Sequence, residues 1–261
     1  MSKLPQITLF FWIMKISATT LGETAGDLLS MTLNVGYALS SLILIGVFLV
    51  TLFTQLASKK HHPLLYWAVI LSTSTAGTTM SDYMDRTLEL GYMQGSAILL
   101  ALLLAILAFW RLTARDLSVV NIKTFNVELL YWTAILFSNT LGTALGDFLA
   151  DDSGLGFGGG ALLISSLIGL VVIARYYSQV SKVLLFWIAF VLTRPFGATI
   201  EDLLTKPYDK GVFDFGTIGS SAFLAAILAI FVFHSIRNQR NAGLAALAPD
   251  FDLLENELEG K

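Results

Sequence analysis

The sequence predicts an all-α integral membrane protein with eight transmembrane helices, arranged as four two-helix repeats of the same orientation. The first reason is composition, since 55% of the 261 residues are hydrophobic and only 13% are charged. A soluble domain has about 45–50% apolar and about 25% charged residues. The second reason is eight separate apolar runs, and the third is a motif that recurs once in every second run. The absence of cysteine excludes disulfides, thiolate metal sites and a cysteine nucleophile.

Each apolar run is about 20 to 24 residues long. At about 1.5 Å per residue, a helix of that length crosses a hydrocarbon core about 30 Å thick. Backbone groups inside lipid must bond to one another, so we expect every run to be a helix. The first run lacks a clean signal-peptide cleavage site, and we expect it to remain as the first helix. The predicted helices cover about residues 7–30, 35–56, 63–84, 91–112, 126–149, 157–178, 183–204 and 217–236.

The odd-numbered helices share a motif in which an aromatic residue and a Trp are followed by a Gly ten residues after the Trp. An Asp follows five residues after that Gly. The members are Trp12, Gly22 and Asp27; Trp67, Gly77 and Asp82; Trp132, Gly142 and Asp147; and Trp187, Gly197 and Asp202. The even helices open with pairs of small residues, for which we expect close helix packing: Gly36/Ser40, Gly91/Gly95, Gly156/Gly160 and Gly216/Ser220.

This recurrence predicts a transmembrane domain over 1–236, with repeats at about 7–56, 63–112, 126–178 and 183–236. An acidic cytoplasmic tail follows over 237–261. Two helices in each unit give every copy the same orientation, unlike an inverted repeat.

Basic residues predict how the chain lies in the membrane. Most of them fall in loops on one side, together with both termini, and the opposite loops are mainly acidic. The positive-inside rule therefore places both termini in the cytoplasm, in a multi-pass protein of a bacterial cytoplasmic membrane. The basic residues on the predicted cytoplasmic side are Lys3, Lys59, Lys60, Arg111, Arg115, Lys123, Arg175, Lys182, Arg237 and Arg240.

A polar stripe runs along each odd helix and ends in the repeated Asp. Helical spacing of about 100° per residue places nearby hydroxyl groups on the same face as that Asp. A carboxylate near a helix C-terminus is disfavoured by about 0.3–1 kcal/mol, so four such residues indicate a compensating positive group. The alternative is that the aspartates are solvated helix ends. The predicted cation-binding residues are Glu23, Asp27, Asp82, Asp147, Asp202, Thr20, Thr75, Thr78, Thr140 and Thr143.

Three further charges, Lys15, Arg194 and Glu201, lie within or beside the predicted odd helices. A charge at bilayer mid-depth costs at least about 2.5–3.5 kcal/mol, so such residues usually face an interior or a wet cavity. We predict a gating or charge-compensating role for them. Arg194 lies one helical turn from the depth of Glu23, and the two would pair if the first and seventh helices are neighbours. A purely structural ion pair is the alternative.

The candidate ligands are oxygen atoms, which suit Mg²⁺, Mn²⁺, Ca²⁺, Na⁺ or H⁺ rather than Zn²⁺ or Cu⁺. The sequence therefore predicts an outward transporter of a hard cation, most simply a divalent metal such as manganese. The metal ligands would be Glu23, Asp27, Asp82, Asp147 and Asp202. A cation channel, an intramembrane enzyme or sensor, and a structural subunit are the alternatives.

Several functional classes receive no support from the sequence. No catalytic constellation, permanently bound cofactor or nucleic-acid motif is predicted, and the expected partners are the lipid bilayer and a small cation. The sequence leaves open whether protons or sodium ions are coupled to transport, and whether copies form a homo-oligomer.

The Trp12, Gly22 and Asp27 set, with its three copies, resembles a bacterial family of membrane proteins built of four tandem two-helix repeats of unknown function. Its members are often labelled uncharacterised membrane-anchored proteins. The resemblance covers about residues 8–236 and implies the eight-helix architecture, but no agreed chemistry. The fourth copy departs most, since Arg194-Pro195 replaces a polar residue and Thr. The run "ETAGD" is also similar to the E-x-G-D helices of a manganese and calcium transporter family, with one extra residue before Asp27.

Overall fold

The computed structural model describes the chain except residues 1–4, 6, 59–61, 120–121, 123, 207–214 and 260–261. For residues 239–259 it describes the backbone alone. The predicted cytoplasmic lysines 3, 59, 60 and 123 and the side chains of the acidic tail therefore lie outside the described residues.

The described residues form eight α-helices and no strand. The helices are α1 (Leu9–Asp27), α2 (Tyr37–Ala57), α3 (Pro63–Asp82), α4 (Tyr92–Ala114), α5 (Phe125–Asp147), α6 (Gly156–Tyr177), α7 (Lys182–Thr205) and α8 (Gly216–Glu259). Five-residue π-helical turns follow three of the odd helices, at Leu28–Thr32, Tyr83–Thr87 and Phe148–Asp152. The predicted helix boundaries agree to within a few residues, except that α8 continues beyond 236. Its continuation contains the run "AGLAALA", which is rich in strong helix formers.

The four odd helices form a closed inner ring. Helix α1 packs against α3, α3 against α5, α5 against α7, and α7 returns to α1. Each even helix lies outside this ring, mainly against the odd helix of the next repeat: α2 on α3, α4 on α5, α6 on α7 and α8 on α1. The repeats are therefore interlocked, and the last helix closes the ring onto the first.

The outer helices are far more apolar than most of the inner ones. Five helices are long and apolar enough to cross a membrane, namely α2, α4, α6, α7 and the Gly216–Asn238 part of α8. Large apolar side chains such as Leu42, Leu162 and Phe233 are exposed on this outer surface. Helices α1, α3 and α5 carry the polar stripes and lie in the ring that the even helices cover.

The repeated glycines of the odd helices allow the inner ring to close tightly. A Cβ atom on Gly77 would lie 3.0 Å from the backbone nitrogen of Thr140, and one on Gly197 would lie 3.1 Å from that of Thr20. A Cβ atom on Gly22 or Gly142 would also meet the next inner helix, at the side chain of Ser74 or Arg194 respectively. The glycine of each repeat therefore accommodates the polar stripe of the following repeat.

The first glycine of each small-residue pair has a different role from the one predicted. Gly36, Gly91, Gly156 and Gly216 have φ angles of 82°, 72°, 66° and 70°. This left-handed region is unfavourable for residues with a Cβ, and no atom lies close enough to require a small side chain there. The backbone turn, rather than helix packing, explains these four glycines. The second members do pack, since Ser40 and Ser220 are buried and Gly95 lies against Asp85.

Aromatic rings close the end of the bundle at which the odd helices begin, which we call the aromatic end. The aromatic residue of each repeat contacts the Trp of the next repeat. The ring-centroid distances are 5.8 Å for Phe11–Trp67, 5.5 Å for Tyr66–Trp132, 6.4 Å for Tyr131–Trp187 and 5.7 Å for Phe186–Trp12. These contacts form a cyclic belt across all four repeats. We call the opposite end, where the repeated aspartates lie, the acidic end.

Candidate functional site

A column of buried charged side chains occupies the interior of the inner ring. Its levels are four residues apart along the helices, which corresponds to about 6 Å. From the aromatic end, Lys15 is followed by Arg194 and then by Glu23. The four repeated aspartates form the next level, and all of them are buried. Arg86 and Lys206 lie beyond the aspartates and are partly exposed.

Arg194 connects all four inner helices. Its guanidinium forms an ion pair with Glu23 of α1. It also donates hydrogen bonds to the carbonyl oxygen of Ser74 on α3, at 3.3 Å, and to the hydroxyl of Thr143 on α5, at 2.8 Å. The pairing expected from the sequence if the first and seventh helices are neighbours is therefore confirmed, and Arg194 blocks the axis of the ring.

One oxygen of Glu23, Oε2, makes all of its contacts at this level. Besides Arg194, its Oε2 accepts hydrogen bonds from the hydroxyls of Thr78, at 3.0 Å, and Thr143, at 3.1 Å. Both hydroxyls also accept from Arg194. The two predicted residues Thr78 and Thr143 are thus brought together with a carboxylate.

The other three predicted threonines are not bonded to the carboxylates. Thr20, Thr75 and Thr140 occupy one repeat position and are buried. Their hydroxyls donate to the carbonyl oxygens of Ile16, Ser72 and Leu136 respectively, at 3.0, 3.1 and 3.0 Å. Helix geometry explains this, since a hydroxyl can bond to a carbonyl three or four residues earlier in its own helix.

Lys15 is buried without a carboxylate partner among the described residues. Its Nζ lies 3.5 Å from Oδ1 of Asn139 and 4.3 Å from the ring centroid of Phe190. Asn139 in turn donates to the hydroxyl of Thr73 at 3.0 Å. A buried ammonium held only by an amide and an aromatic ring is expensive, so these surroundings favour the neutral amine of Lys15.

Arg86 and Lys206 neutralise three of the four repeated aspartates. Arg86 lies 3.0 Å from Asp82 and 3.2 Å from Asp147, and Lys206 lies 3.3 Å from Asp202. Burial lowers the pKa of Arg86, but the carboxylates of Asp82 and Asp147 outweigh it and raise the pKa above its ordinary value. Arg86 therefore stays charged.

Arg86 and Lys206 are not among the residues predicted for the site, since both fall in loops between the predicted helices. Their spacing was the missed signal, because each lies four residues after a repeated aspartate and an i,i+4 pair can meet on a helix.

Asp27 is the exception at the acidic end. It is 8% exposed, and no hydrogen bond or ion pair reaches its side chain from the described residues. Glu201, also buried, accepts a hydrogen bond from the hydroxyl of Thr205 at 2.7 Å. No three Asp, Glu or His side chains within the described part of the chain are grouped so that they could hold a metal ion. The five carboxylates predicted as metal ligands are instead distributed, with four of them against Arg194, Arg86 or Lys206.

A second polar cluster at the aromatic end was not predicted. The amide of Gln55 donates to Glu128 at 3.3 Å, and both residues are buried. The hydroxyls of Tyr66 and Tyr131 are hydrogen-bonded to each other at 2.9 Å. Tyr66 and Tyr131 occupy the aromatic position before the repeated Trp, but the position of Glu128 is occupied by Thr8, Pro63 and Val183 in the other repeats. The fourfold motif therefore gave no indication of the contact between Gln55 and Glu128.

The fold and the site define a four-repeat helical bundle with charged groups along its axis. The family model described as Repeat of Unknown Function (DUF347) matches residues 10–61, 65–116, 130–181 and 185–241. The chain belongs to this family, which confirms the resemblance inferred from the motif. Each match begins two residues before one of the four repeated Trp residues. No curated protein and no solved structure matches the chain.

Proposed function

We propose that this protein is a multi-pass transporter that carries a small hard cation across a bacterial cytoplasmic membrane. Its eight helices would cross the bilayer as four parallel two-helix repeats, with both termini in the cytoplasm. The apolar outer surface supports this arrangement, as do the five helices of suitable length and composition. Helices α1, α3 and α5 are less apolar because the even helices separate their polar stripes from lipid.

An excess of buried negative charge carries the proposal. Within the described residues, the ring interior holds six buried acidic side chains near its acidic end and three basic ones. The acids are Glu23, Asp27, Asp82, Asp147, Glu201 and Asp202, and the bases are Arg86, Arg194 and Lys206. The difference, 6 − 3, is three more acidic than basic side chains near the acidic end; Lys15 is not counted because it lies nearer the aromatic end. Buried charges without a counterion are strongly unfavourable, so this interior favours the binding of cations or protons.

The built-in cations suggest how transport would occur. Arg194, Arg86 and Lys206 contact the carboxylates that a transported ion would need. An arriving cation would compete for these carboxylates, and the arginine or lysine would return when it left. The oxygen ligands make a divalent metal such as Mn²⁺ the first candidate, with H⁺ or Na⁺ as coupled ions.

A carrier is favoured over an open channel. Arg194 spans the ring axis, and the buried side chain of Lys15 occupies the interior nearer the aromatic end. The cyclic aromatic belt closes that end. A cation moving along the axis would meet the positive charge of Arg194 and then the closed aromatic end, so passage requires a rearrangement of the helices. The proposed net direction is outward.

Flux into proteoliposomes tests the proposal. Purified protein is reconstituted, and uptake is measured for Mn²⁺, Mg²⁺, Co²⁺, Ca²⁺, Na⁺ and H⁺, with protein-free vesicles as the reference. We expect at least one cation to move faster with the protein, and cells that overexpress it to accumulate less of that ion. A Gly46→Ala variant is the matched control, since Gly46 has open space around it on α2. If no ion in the panel moves faster than in protein-free vesicles, the proposal is wrong.

A further inference from the structure

We infer that the cation is loaded in the seam between α1 and α7, where Asp27 and Glu201 together accept it. This inference rests on the proposed function and narrows it. The four repeated aspartates are equivalent in the sequence, but they are not equivalent in the structure. Among the described residues, only the seam between α1 and α7 combines a repeated aspartate that forms no ion pair, Asp27, with a second buried carboxylate, Glu201.

The first observation is the distribution of ion pairs. Four carboxylates already form ion pairs: Asp82 and Asp147 with Arg86, Asp202 with Lys206, and Glu23 with Arg194. Asp27 is more than nine-tenths buried, yet neither of its oxygens has a partner among the described residues. The Asp27 oxygens are not among the fully enclosed atoms, so a proton or a small cation can reach this carboxylate, which has no counterion beside it.

The second observation is the position of Glu201 in the repeat. It lies fourteen residues after Trp187, where the other three repeats have Gly26, Ser81 and Gly146. These small residues face the next inner helix: a Cβ atom on Gly26 would lie 2.9 Å from Thr78 of α3, and one on Gly146 would lie 2.7 Å from Ala198 of α7. The same register directs Glu201 towards α1, close to the level of Glu23 and one turn from Asp27.

Lys206 supports this placement from outside the helices. Burial lowers its pKa, but the carboxylates of Asp202, Glu201 and Asp27 outweigh that effect and raise the pKa above its ordinary value. Asp27 and Glu201 therefore both lie within the electrostatic reach of Lys206. Lys206 is partly exposed at the rim of the seam, where it can give way to an incoming ion.

Within the stretch from the repeated Trp to the repeated Asp, the seam also contains every departure that introduces a charge. Between the Trp and the Asp of each repeat, charged residues occur only as Lys15 and Glu23 on α1, and Arg194 and Glu201 on α7. The two helices that meet where the ring closes thus differ electrostatically from α3 and α5. The ligand that fits two carboxylates with a nearby Thr205 hydroxyl is a small hard cation, either a proton or a metal ion.

Binding measurements on purified variants test the seam. Asp27→Asn removes the unpartnered carboxylate, and Glu201→Gly restores the residue that the first and third repeats have at that position. We expect each change to raise the half-saturating concentration of the bound cation by at least about tenfold, measured as ion-dependent thermal stabilisation across Mn²⁺, Mg²⁺, Ca²⁺ and Na⁺. Asp85→Asn is the matched control, since it removes a buried carboxylate on the turn after α3, against Gly95 of α4. Asp147→Asn distinguishes a fourfold site from a seam site, and we expect a smaller effect.

Infrared difference spectroscopy of the carboxyl bands during a pH titration provides a second reading, which does not depend on transport. A band that titrates in the wild type and disappears in both Asp27→Asn and Glu201→Gly supports the seam as a proton site. The inference is overturned if Asp147→Asn weakens cation binding as much as Asp27→Asn, or if neither seam variant changes binding or the infrared band. A wild type that moves no ion in vesicles refutes transport alone, since the infrared result still tests the seam.

Discussion

The ion pair between Arg194 and Glu23 gives the sharpest test of the packing of the inner ring. Both side chains are buried, and the guanidinium contacts α1, α3 and α5 at once. Arg194→Asn introduces the residue that the third repeat has at this position, Asn139. Glu23→Thr likewise introduces the residue of the second and third repeats, so both substitutions use side chains that this scaffold already accommodates.

The expected magnitudes follow from the burial of the pair. Arg194→Asn leaves the carboxylate of Glu23 buried without its counterion, and breaking a buried pair in this way costs about 3–5 kcal/mol. The double variant removes both charges and leaves no uncompensated group. We therefore expect the double variant to be destabilised by about 1–3 kcal/mol less than the sum of the two single variants, which is the coupling typical of residues in direct contact.

The assay is unfolding in mixed detergent micelles at increasing dodecyl sulfate, followed by tryptophan fluorescence. The wild type, the two single variants and the double variant form a thermodynamic cycle. If the two single costs add to within about 0.5 kcal/mol of the double, the side chains are not coupled and the ion pair does not stabilise the ring.

Two further predictions concern stability. Gly77→Ala places a methyl group 3.0 Å from the backbone of Thr140 and should cost about 1–3 kcal/mol in the same unfolding assay. Gly46→Ala, in open space on α2, should be neutral or stabilising by up to about 1 kcal/mol. Equal effects of the two substitutions would contradict the close packing of α3 on α5. Burial raises the pKa of Asp85 from 3.8 to about 6, so its contribution to stability is most favourable below about pH 4 and is lost as the pH rises through about 6. Asp85→Asn should then unfold at a higher detergent concentration than the wild type at pH 7.5 but not at pH 4.5, and an unchanged difference between the two pH values would contradict this.

The helices could be predicted from the sequence because their signals are local. Apolar runs of sufficient length gave all eight helices, and the regular spacing of Trp12, Gly22 and Asp27 in every repeat gave the fourfold plan. The polar stripe also placed Glu23 correctly beside Thr78 and Thr143, because residues at the same repeat position meet at the same depth.

The ion pairs could be predicted only in part. The ion pairs of Arg86 with both Asp82 and Asp147 form because α3 and α5 are neighbours in the ring. The sequence does not specify the order of the helices around the ring. The π-helical turn at Tyr83–Thr87 carries Arg86 back over the end of the bundle, and hydrophobic patterning does not predict such a turn. The positive φ angle of Gly91 could not be predicted either. A glycine in the sequence fits both a backbone turn and a close packing contact, and the sequence does not distinguish the two.

Duplication explains the scaffold, and its exceptions explain the proposed chemistry. A ring of four identical repeats would place four equivalent aspartates around one axis, and their mutual repulsion would be relieved equally or not at all. This chain instead places its additional charges on α1 and α7, the helices at which the last repeat meets the first. Arg194 then fixes the centre of the ring, while Glu201 adds a negative charge on the same side as Asp27. The closing seam can therefore vary in charge while all four interfaces, including this one through Gly197, keep the glycine-mediated packing that holds the bundle together.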